Sequence, residues 1–476
     1  KRVVKHFFTI NMIIFAPHLI LLNNKILSAT IRIKKGLNIP ISGAASRSVN
    51  KEVFSDVVAI KPTDFRGIVP KMKVKEGETV KAGTILFADK ANPQIQFASP
   101  CSGVVEAVVR GEKRKLLSVR IKADKEIDYI KFDIPKELTN ENVKDLLLQS
   151  GLWCAIKQRP YGIVANPDTT PKSIFISGFN TAPLAADLDF VLQNEFEALQ
   201  AGINALSKLT AGGVHLSICD GCYANANLNK LQGVIQHKVS GPHPAGNVGV
   251  QINHISPIAK GDIIWTVDLH LVATIGKLFT KGIYDASQLV AVVGPAVKTP
   301  TYVKGIQGMQ ISTVKYLADE SKGTLRYISG DVLTGENVGV DGFLGFYKNQ
   351  ITVLPEGDYY EMFGWFKPFR SKKFSFSHTY PSFLCSKKRY NMDTNLNGGV
   401  RAFVMSDVYG KVLPMDIYPT YLFKAALAKD LEKMEQLGIY EVIEEDIALC
   451  EYVCPSKIEI QKIISDGIDL MIKEMA

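Results

Sequence analysis

The sequence predicts a multidomain protein of mixed α+β and α/β class. Glycine-punctuated β-rich runs come first, alternating strand and helix patterns follow, and the C-terminal part shows amphipathic helix patterns. We expect an N-terminal extension at 1–30, a carrier-like β-barrel of the barrel-sandwich type at 31–130, an α/β domain at 131–300, a small β-rich module at 301–370 and a helical C-terminal domain at 371–476.

The composition is that of an ordinary globular protein, since 46% of the residues are hydrophobic and 22% are charged. Of the net charge of +9, Lys1, Arg2, Lys5 and Lys25 supply four in a segment without acids. The remaining excess is weak and forms no basic stripe with aromatic residues, so no nucleic-acid partner is predicted. Seven cysteines in 476 residues do not indicate a disulfide framework and fit a reducing cytoplasm.

The N-terminal segment contains the apolar run Met12–Leu22 behind a basic start, a pattern shared with secretory signals. Pro17 and His18 interrupt the run, which is too short to span a bilayer, and a good cleavage site is missing. We therefore interpret residues 1–30 as an extension ahead of a domain that begins near Ile31, with a signal as the alternative. No other run of 18 uncharged apolar residues occurs, so the body is predicted to be soluble.

The β-barrel prediction rests on two similar halves between Lys75 and Ile121, each a strand, a glycine turn and a strand. Between them lies Lys90 in an Asp-Lys-Ala tripeptide, which is how lipoyl and biotinyl domains present their modified lysine. The ten residues from Lys90 to Pro100, with Pro93 inside the turn, would move the lysine off the hairpin apex. We favour an ordinary exposed turn lysine and keep a lipoyl or biotin carrier as the alternative.

The α/β prediction rests on strand and helix patterns in the order that favours parallel pairing. Thr139 is a candidate N-cap of a first helix, and buried-strand patterns at 173–180 and 214–220 flank one long amphipathic helix at 189–209.

Two further helices are predicted near the C-terminus. The first runs over 419–438 and ends at Gly438, a residue type suited to a C′ cap. The second follows Ser456 and Glu459, which have the spacing of a capping box.

Two cysteine pairs are candidate redox or metal ligands. Cys219 and Cys222 form a C-x-x-C after a predicted strand, and Cys450 and Cys454 form a C-x-x-x-C. Together they could hold zinc or an iron–sulfur cluster in an electron-transfer protein. Neither pair has a local partner pair at metal-ligand spacing, so small buried residues are the alternative.

The stretch Ser150–Gly162 lies where a nucleotide-binding α/β domain places a glycine-rich phosphate loop. Trp153, Arg159, Pro160 and Tyr161 fill it instead, and neither G-x-G-x-x-G nor G-x-x-x-x-G-K-[ST] occurs in the chain. We therefore expect no flavin or NADH binding here. An aromatic–arginine–proline cluster suits a flat ring with polar carbonyls, such as a quinone, and equally a packing corner.

For a quinone, Arg159 would donate hydrogen bonds, and Trp153 and Tyr161 would supply the wall and a hydroxyl. Phe65 and Arg66 lie on a turn of the first β domain that we expect to border the same cleft. The predicted quinone site therefore lies between the first two domains. We assign no catalytic residue and no metal ligand.

The stretch Ser240–Gly249 is a rigid loop, because two prolines and three glycines fix its backbone. His243 is its only titratable side chain. We expect His243, Pro244 and Gly246 to have a structural or contact role.

Eight stretches, in this order, resemble the NqrA family of the bacterial sodium-translocating NADH:quinone reductases. They are IKKGLNIPISG, FADKANPQIQFASPCSGVVEAVVRGEKRKLLSV, SGLWCAIKQRPY, GPHPAGNVG, YISGDVLTG, EGDYYEMFGW, LPMDIYPTYL and EEDIALCEYVCP. The resemblance runs from about Ile31 to the C-terminus. The sequence departs from the family pattern at Asn247, at Val250 and Gln251, and in CDGCYANAN, which puts residue-level sites in doubt.

The resemblance implies a peripheral subunit on the cytoplasmic side of the bacterial inner membrane. Its six-subunit complex, Nqr, passes electrons from NADH through flavins and iron–sulfur centres to quinone and exports sodium. NqrA proteins are implied to bind quinone, to dock on the membrane protein NqrB, and to hold no flavin or cluster and no catalysis of their own. The implied fold is similar to the flavin subunit of complex I, with the phosphate loop replaced and the cluster cysteines lost.

Overall fold

A computed structural model describes residues 29–221, 227–362, 364, 370, 372–385 and 387–475. The predicted extension at 1–30 therefore lies outside the described residues, apart from its last two. Two short strands precede the first domain and join sheets formed later in the chain: β1 (Thr30–Arg32) and β2 (Val49–Glu52).

Residues 57–123 form two small antiparallel sheets around a shared apolar core. Their strands are β3 (Val57–Ile60), β4 (Pro70–Met72), β5 (Thr79–Val80), β6 (Ile85–Asp89), β7 (Gln96–Ala98), β8 (Gly103–Arg110) and β9 (Leu116–Ala123). One sheet has the order β3-β9-β8-β5 and the other β4-β6-β7. Leu86 of one sheet and Val105 and Ile121 of the other are fully buried in the same cluster. The barrel-sandwich prediction is confirmed in this region.

The next part of the chain is an α/β domain on a seven-stranded sheet of order β1-β14-β13-β12-β15-β10-β11. Its elements are α1 (Asn140–Gln149), β10 (Ile156–Arg159), β11 (Ile163–Val164), β12 (Ile174–Ser177), α2 (Leu188–Val191), α3 (Phe196–Leu206), β13 (Val214–Cys219), β14 (Val234–Ser240), α4 (Val248–Ile255), β15 (Ile264–Val267) and α5 (Leu269–Lys281). β12 pairs in parallel with both β13 and β15. The α/β prediction is confirmed.

The first predicted helix is present, and the hydroxyl of its N-cap, Thr139, accepts a hydrogen bond from the Asn142 N–H. The single long helix predicted at 189–209 is wrong, because α2 ends at Val191 and α3 begins at Phe196. An ion pair of 3.0 Å holds Glu195, just before α3, to Lys277 of α5. This tertiary contact fixes the start of α3, and periodicity along one segment does not report it.

Helices α3 and α5 pack with their backbones in close approach. A Cβ added at Gly276 of α5 would lie 1.6 Å from the carbonyl oxygen of Ala198, and one at Gly202 of α3 would lie 2.3 Å from that of Val272. Only glycine allows this separation.

A six-stranded sheet of order β19-β18-β20-β16-β17-β2 follows. Its later strands are β16 (Ser287–Val293), β17 (Thr301–Ile306), β18 (Leu325–Ser329), β19 (Glu336–Asn337) and β20 (Gln350–Pro355). β16 lies on the N-terminal side of the boundary that we predicted at residue 300, and β2 comes from before the barrel.

The C-terminal part contains helices α6 (Val408–Val412), α7 (Pro419–Ala428), α8 (Leu431–Gln436), α9 (Glu444–Val453) and α10 (Ile460–Met475). The single helix predicted at 419–438 is wrong, because Lys429 adopts a left-handed φ of 56° and Asp430 caps a new helix by accepting from the Lys433 N–H. Ser456 donates to the Ala402 carbonyl instead of forming the predicted capping box. Within the described ranges, no helix has both the length and the apolarity that a membrane crossing requires.

Candidate functional site

Phe65 lies in the core where the barrel meets the six-stranded sheet. Its ring centroid is 4.5 Å from that of Phe97, 5.0 Å from that of Phe346 and 5.8 Å from that of Tyr347. Such tilted aromatic contacts stabilise a packed junction. Phe65 therefore supports the turn that carries Arg66.

Arg66 links the barrel to the C-terminal helices. Its guanidinium forms ion pairs with Glu444 at 2.6 Å and Asp469 at 3.0 Å, and it donates to the hydroxyl of Ser465 at 2.6 Å. It also approaches the backbone carbonyl of Tyr161, at 3.4 Å. Its side chain is 17% exposed, so it borders solvent.

Trp153 is fully buried, and its indole N–H donates to the Ala165 carbonyl at 2.7 Å. Its ring meets the edge of Trp265, with centroids 5.4 Å apart. The polar atom of Trp153 is therefore satisfied inside the protein.

Arg159 is the centre of a buried ion pair with the N-terminal turn of α9. It donates to Asp446 Oδ2 at 2.5 Å and to Glu445 Oε1 at 2.6 Å. Burial opposes the charge of Arg159, but the attraction of Asp446 and Glu445 outweighs it and raises the Arg159 pKa. Burial raises the pKa of Asp446. Because the Cβ of any side chain at Gly249 would lie 2.3 Å from Asp446 Oδ1, this carboxylate sits directly against the first turn of α4.

Tyr161 follows Arg159 on a turn and adopts a left-handed φ of 81°. Its half-buried ring lies against Tyr440, with centroids 6.1 Å apart. The structure therefore brings Arg66 and Tyr161 together at a solvent-facing edge, while Phe65, Trp153 and Arg159 lie behind them. The role of these five residues in quinone binding stays a prediction.

His243 lies in the rigid loop before α4 and is 2% exposed. Its Nδ1 is 3.1 Å from the hydroxyl of Thr181, which also accepts from the Gly246 N–H at 2.9 Å. Pro244 follows His243 in a cis peptide bond. The loop is thereby tied to the segment after β12.

The cysteines do not assemble a metal site in the part of the chain that the structure describes. Cys219 is disulfide-bonded, and Cys222 lies outside the described residues. Cys450 and Cys454 are free and fully buried, and burial raises the pKa of Cys450. No group of three His, Cys, Asp or Glu side chains suited to a metal occurs among the described residues. Lys90 is exposed on a turn.

Sequence reasoning singled out Arg159 but missed its partners. Glu445 and Asp446 are in the stretch EEDIALCEYVCP, yet they are 286 and 287 residues away from Arg159. An acidic run at a helix start is usually an N-terminal helix signal, and it carries no information about a distant arginine.

Together these features define a class: a multidomain protein in which a barrel-sandwich, an α/β domain and C-terminal helices meet at buried arginine–carboxylate contacts. Three family models match it, namely the NqrA N-terminal barrel-sandwich hybrid domain at 31–124, the NqrA second alpha/beta domain at 138–284 and the NQRA C-terminal domain at 289–339. The chain belongs to the NqrA family of the Na(+)-translocating NADH-quinone reductases. The family resemblance found in the sequence is confirmed.

Relatives named as this subunit of the Na(+)-translocating NADH-quinone reductase are similar over nearly their whole length. The protein of Pasteurella multocida (strain Pm70) is 39% identical over 450 residues, covering 93% of this chain and 100% of the relative. That of Neisseria meningitidis serogroup B (strain ATCC BAA-335 / MC58) is 36% identical over 452 residues, with the same coverage. A solved NAD+-reducing [NiFe]-hydrogenase in the H2-reduced state is similar at 11% identity and a TM-score of 0.36, covering 71% of this chain and 62% of that one.

Proposed function

We propose that this chain is the peripheral quinone-binding subunit of a sodium-translocating NADH:quinone reductase, on the cytoplasmic side of the bacterial inner membrane. Family membership supports the assignment. The chain docks on the membrane subunits, NqrB in particular, and has no catalysis of its own. NADH, flavins and iron–sulfur centres belong to partner subunits, and the fold is related to the flavin subunit of complex I. A carrier protein modified at Lys90 and a cysteine-ligated metal protein are not favoured.

The observation that carries the docking proposal is an exposed apolar face beside α7. This docking face consists of Val404, Met405, Tyr418 and Tyr421, which are 50%, 55%, 67% and 56% exposed. The Thr420 hydroxyl donates to the Ser406 carbonyl at 3.2 Å and holds the two segments side by side. Contiguous apolar surface of this kind is typical of protein–protein interfaces.

Tyr421→Asp is expected to weaken docking at least tenfold, because a charge would be buried without a partner in the interface. The measurement is co-purification of the chain with tagged NqrB from detergent-solubilised membranes. Tyr316→Asp is the matched control, since Tyr316 is 44% exposed in a different part of the protein. Wild-type recovery of a folded Tyr421→Asp variant would remove this face from the proposal.

We place the quinone head group at the edge formed by Arg66 and Tyr161, with Phe65, Trp153 and Arg159 supporting it from behind. Arg66 has donors to offer, because one of its partners, Asp469, is 62% exposed, and so exposed a pair contributes little. Arg66 can exchange that contact for a quinone carbonyl, and the ring and hydroxyl of Tyr161 can contact the quinone ring.

Arg66→Met is expected to weaken quinone affinity about ten- to a hundredfold, since a charge-assisted hydrogen bond contributes about 1.5–3 kcal/mol. A smaller loss is expected for Tyr161→Phe. The measurement is tryptophan-fluorescence quenching by a short-chain quinone, after circular dichroism shows that each variant is folded. Arg47→Met, at an exposed pair with Asp187, is the control. Unchanged affinity in both folded variants would contradict this location.

A further inference from the structure

A polar cavity of about 130 Å³ lies apart from the proposed quinone edge. Asn180, after β12, and Asp268, directly after β15, both line it. The chain passes from β12 to β13 on one side, whereas β15 lies on the other side of β12, so the strand order reverses here. The crevice outside the carboxyl ends of parallel strands at such a reversal is where open α/β sheets bind ligands.

The carboxylates that line this cavity already have donors. Asp268 accepts from Lys157 at 3.0 Å, and Glu445 accepts from Arg159 at 2.6 Å. Asp331 accepts from the backbone N–H groups of Leu333 and Thr334 and from the Thr334 hydroxyl, at 2.8, 3.0 and 2.6 Å. A cation is therefore not what the cavity lacks.

Donors in the cavity lack acceptors. The Nε2 atom of His243 is buried without a hydrogen-bond partner. The Thr181 hydroxyl accepts from the Gly246 N–H, so its own proton is available to His243 Nδ1, which leaves the ring proton of the neutral imidazole on Nε2. Burial lowers the pKa of His243 to about 4, so the imidazole is neutral at pH 7. His243 thus presents an unused N–H donor.

Two neighbours add to this deficit of acceptors. The side-chain amide nitrogen of Asn349 is buried without a partner. The ammonium of Lys348 contacts the Thr334 hydroxyl at 3.2 Å, and in the described part of the chain no carboxylate forms an ion pair with it. An unpaired buried donor is unfavourable, so a bound molecule with acceptor oxygens would stabilise all three groups.

We propose that this cavity binds one small oxyanion, of the size of a phosphate or short carboxylate, through Lys348, His243 Nε2–H and the Asn349 amide. Its volume excludes a dinucleotide. The proposal does not depend on quinone binding or on docking. It gives the rigid loop at His243 a role in presenting a donor to a ligand.

Calorimetric titration of the full chain with inorganic phosphate at constant ionic strength tests this site. We expect saturable binding of one phosphate per chain, at least tenfold weaker affinity in Lys348→Gln and a clear loss in Asn349→Ala. Lys172→Gln is the control, because this exposed lysine lies just before β12, at the opposite end of that strand. A parallel titration with acetate distinguishes a carboxylate ligand from a phosphate.

Crystals of the wild-type chain soaked in selenate supply the location, since selenium scatters anomalously. An anomalous peak against Lys348 and Asn349 would support the site. Absence of saturable binding of both anions, equal phosphate affinity in folded Lys348→Gln and Asn349→Ala, or a peak only elsewhere would overturn the proposal.

Discussion

Arg159→Met is expected to lower the free energy of unfolding by about 3–5 kcal/mol, because it leaves a buried carboxylate without its partner. Asp446 is fully buried and would keep only the Ile443 backbone N–H, at 3.1 Å, as a donor to its Oδ2. Its Oδ1 already has no hydrogen-bond partner. The variant must therefore either bury an uncompensated charge or protonate Asp446. The measurement is urea unfolding followed by fluorescence, to which the buried Trp153 and Trp265 contribute.

Arg47→Met is the matched control, since the ion pair of Arg47 with Asp187 is exposed and should contribute about 0–1 kcal/mol. The double variant Arg159→Met/Asp446→Leu should recover much of the loss, because the buried charge is gone from both sides. A loss below about 1 kcal/mol in Arg159→Met would show that the buried pair does not hold the α/β domain to α9.

Gly276→Ala is expected to destabilise the chain by about 3 kcal/mol or more, at or above the upper end of the usual cost of overpacking. The added Cβ would lie 1.6 Å from the backbone carbonyl oxygen of Ala198, so a side-chain rotation cannot relieve the contact. Helices α3 and α5 would have to separate along the whole contact. Differential scanning calorimetry should show a clearly lowered melting temperature.

Gly410→Ala provides the comparison, because Gly410 lies in α6 and an added Cβ would meet no atom within 4 Å. There the substitution is expected to stabilise by about 0.4–1 kcal/mol by restricting the unfolded chain. An unchanged melting temperature in Gly276→Ala would mean that the two helices tolerate a wider separation than the structure has.

The elements that the sequence predicted well are those whose signals are local. Thr139 and the apolar spacing behind it are contained in one segment, and the first helix is present as predicted. The helix predicted at 419–438 failed because Lys429 adopts a left-handed conformation, for which its side chain gives no signal. Likewise, Gly276 looks like any helix glycine until α3 is placed against it.

The candidate site was predictable to the same extent. The absence of glycines in Ser150–Gly162 was visible, and so was the cluster of Trp153, Arg159 and Tyr161. Which of these side chains faces solvent depends on the C-terminal helices, because Glu445 and Asp446 bind the guanidinium of Arg159. Pairing across nearly 300 residues is a property of the fold, and no spacing rule along the chain reports it.

The carboxylate of Asp446 against the first turn of α4 has an evolutionary consequence. Three residues from separate segments, Arg159, Gly249 and Asp446, fit only as a set, because Gly249 leaves the space that Asp446 occupies and Arg159 balances its charge. A mutation that enlarges residue 249 would displace the carboxylate, and one that removes Arg159 would strand it. Inherited changes at these positions can therefore persist only in combination, and the three are expected to vary together among descendants of a common ancestor.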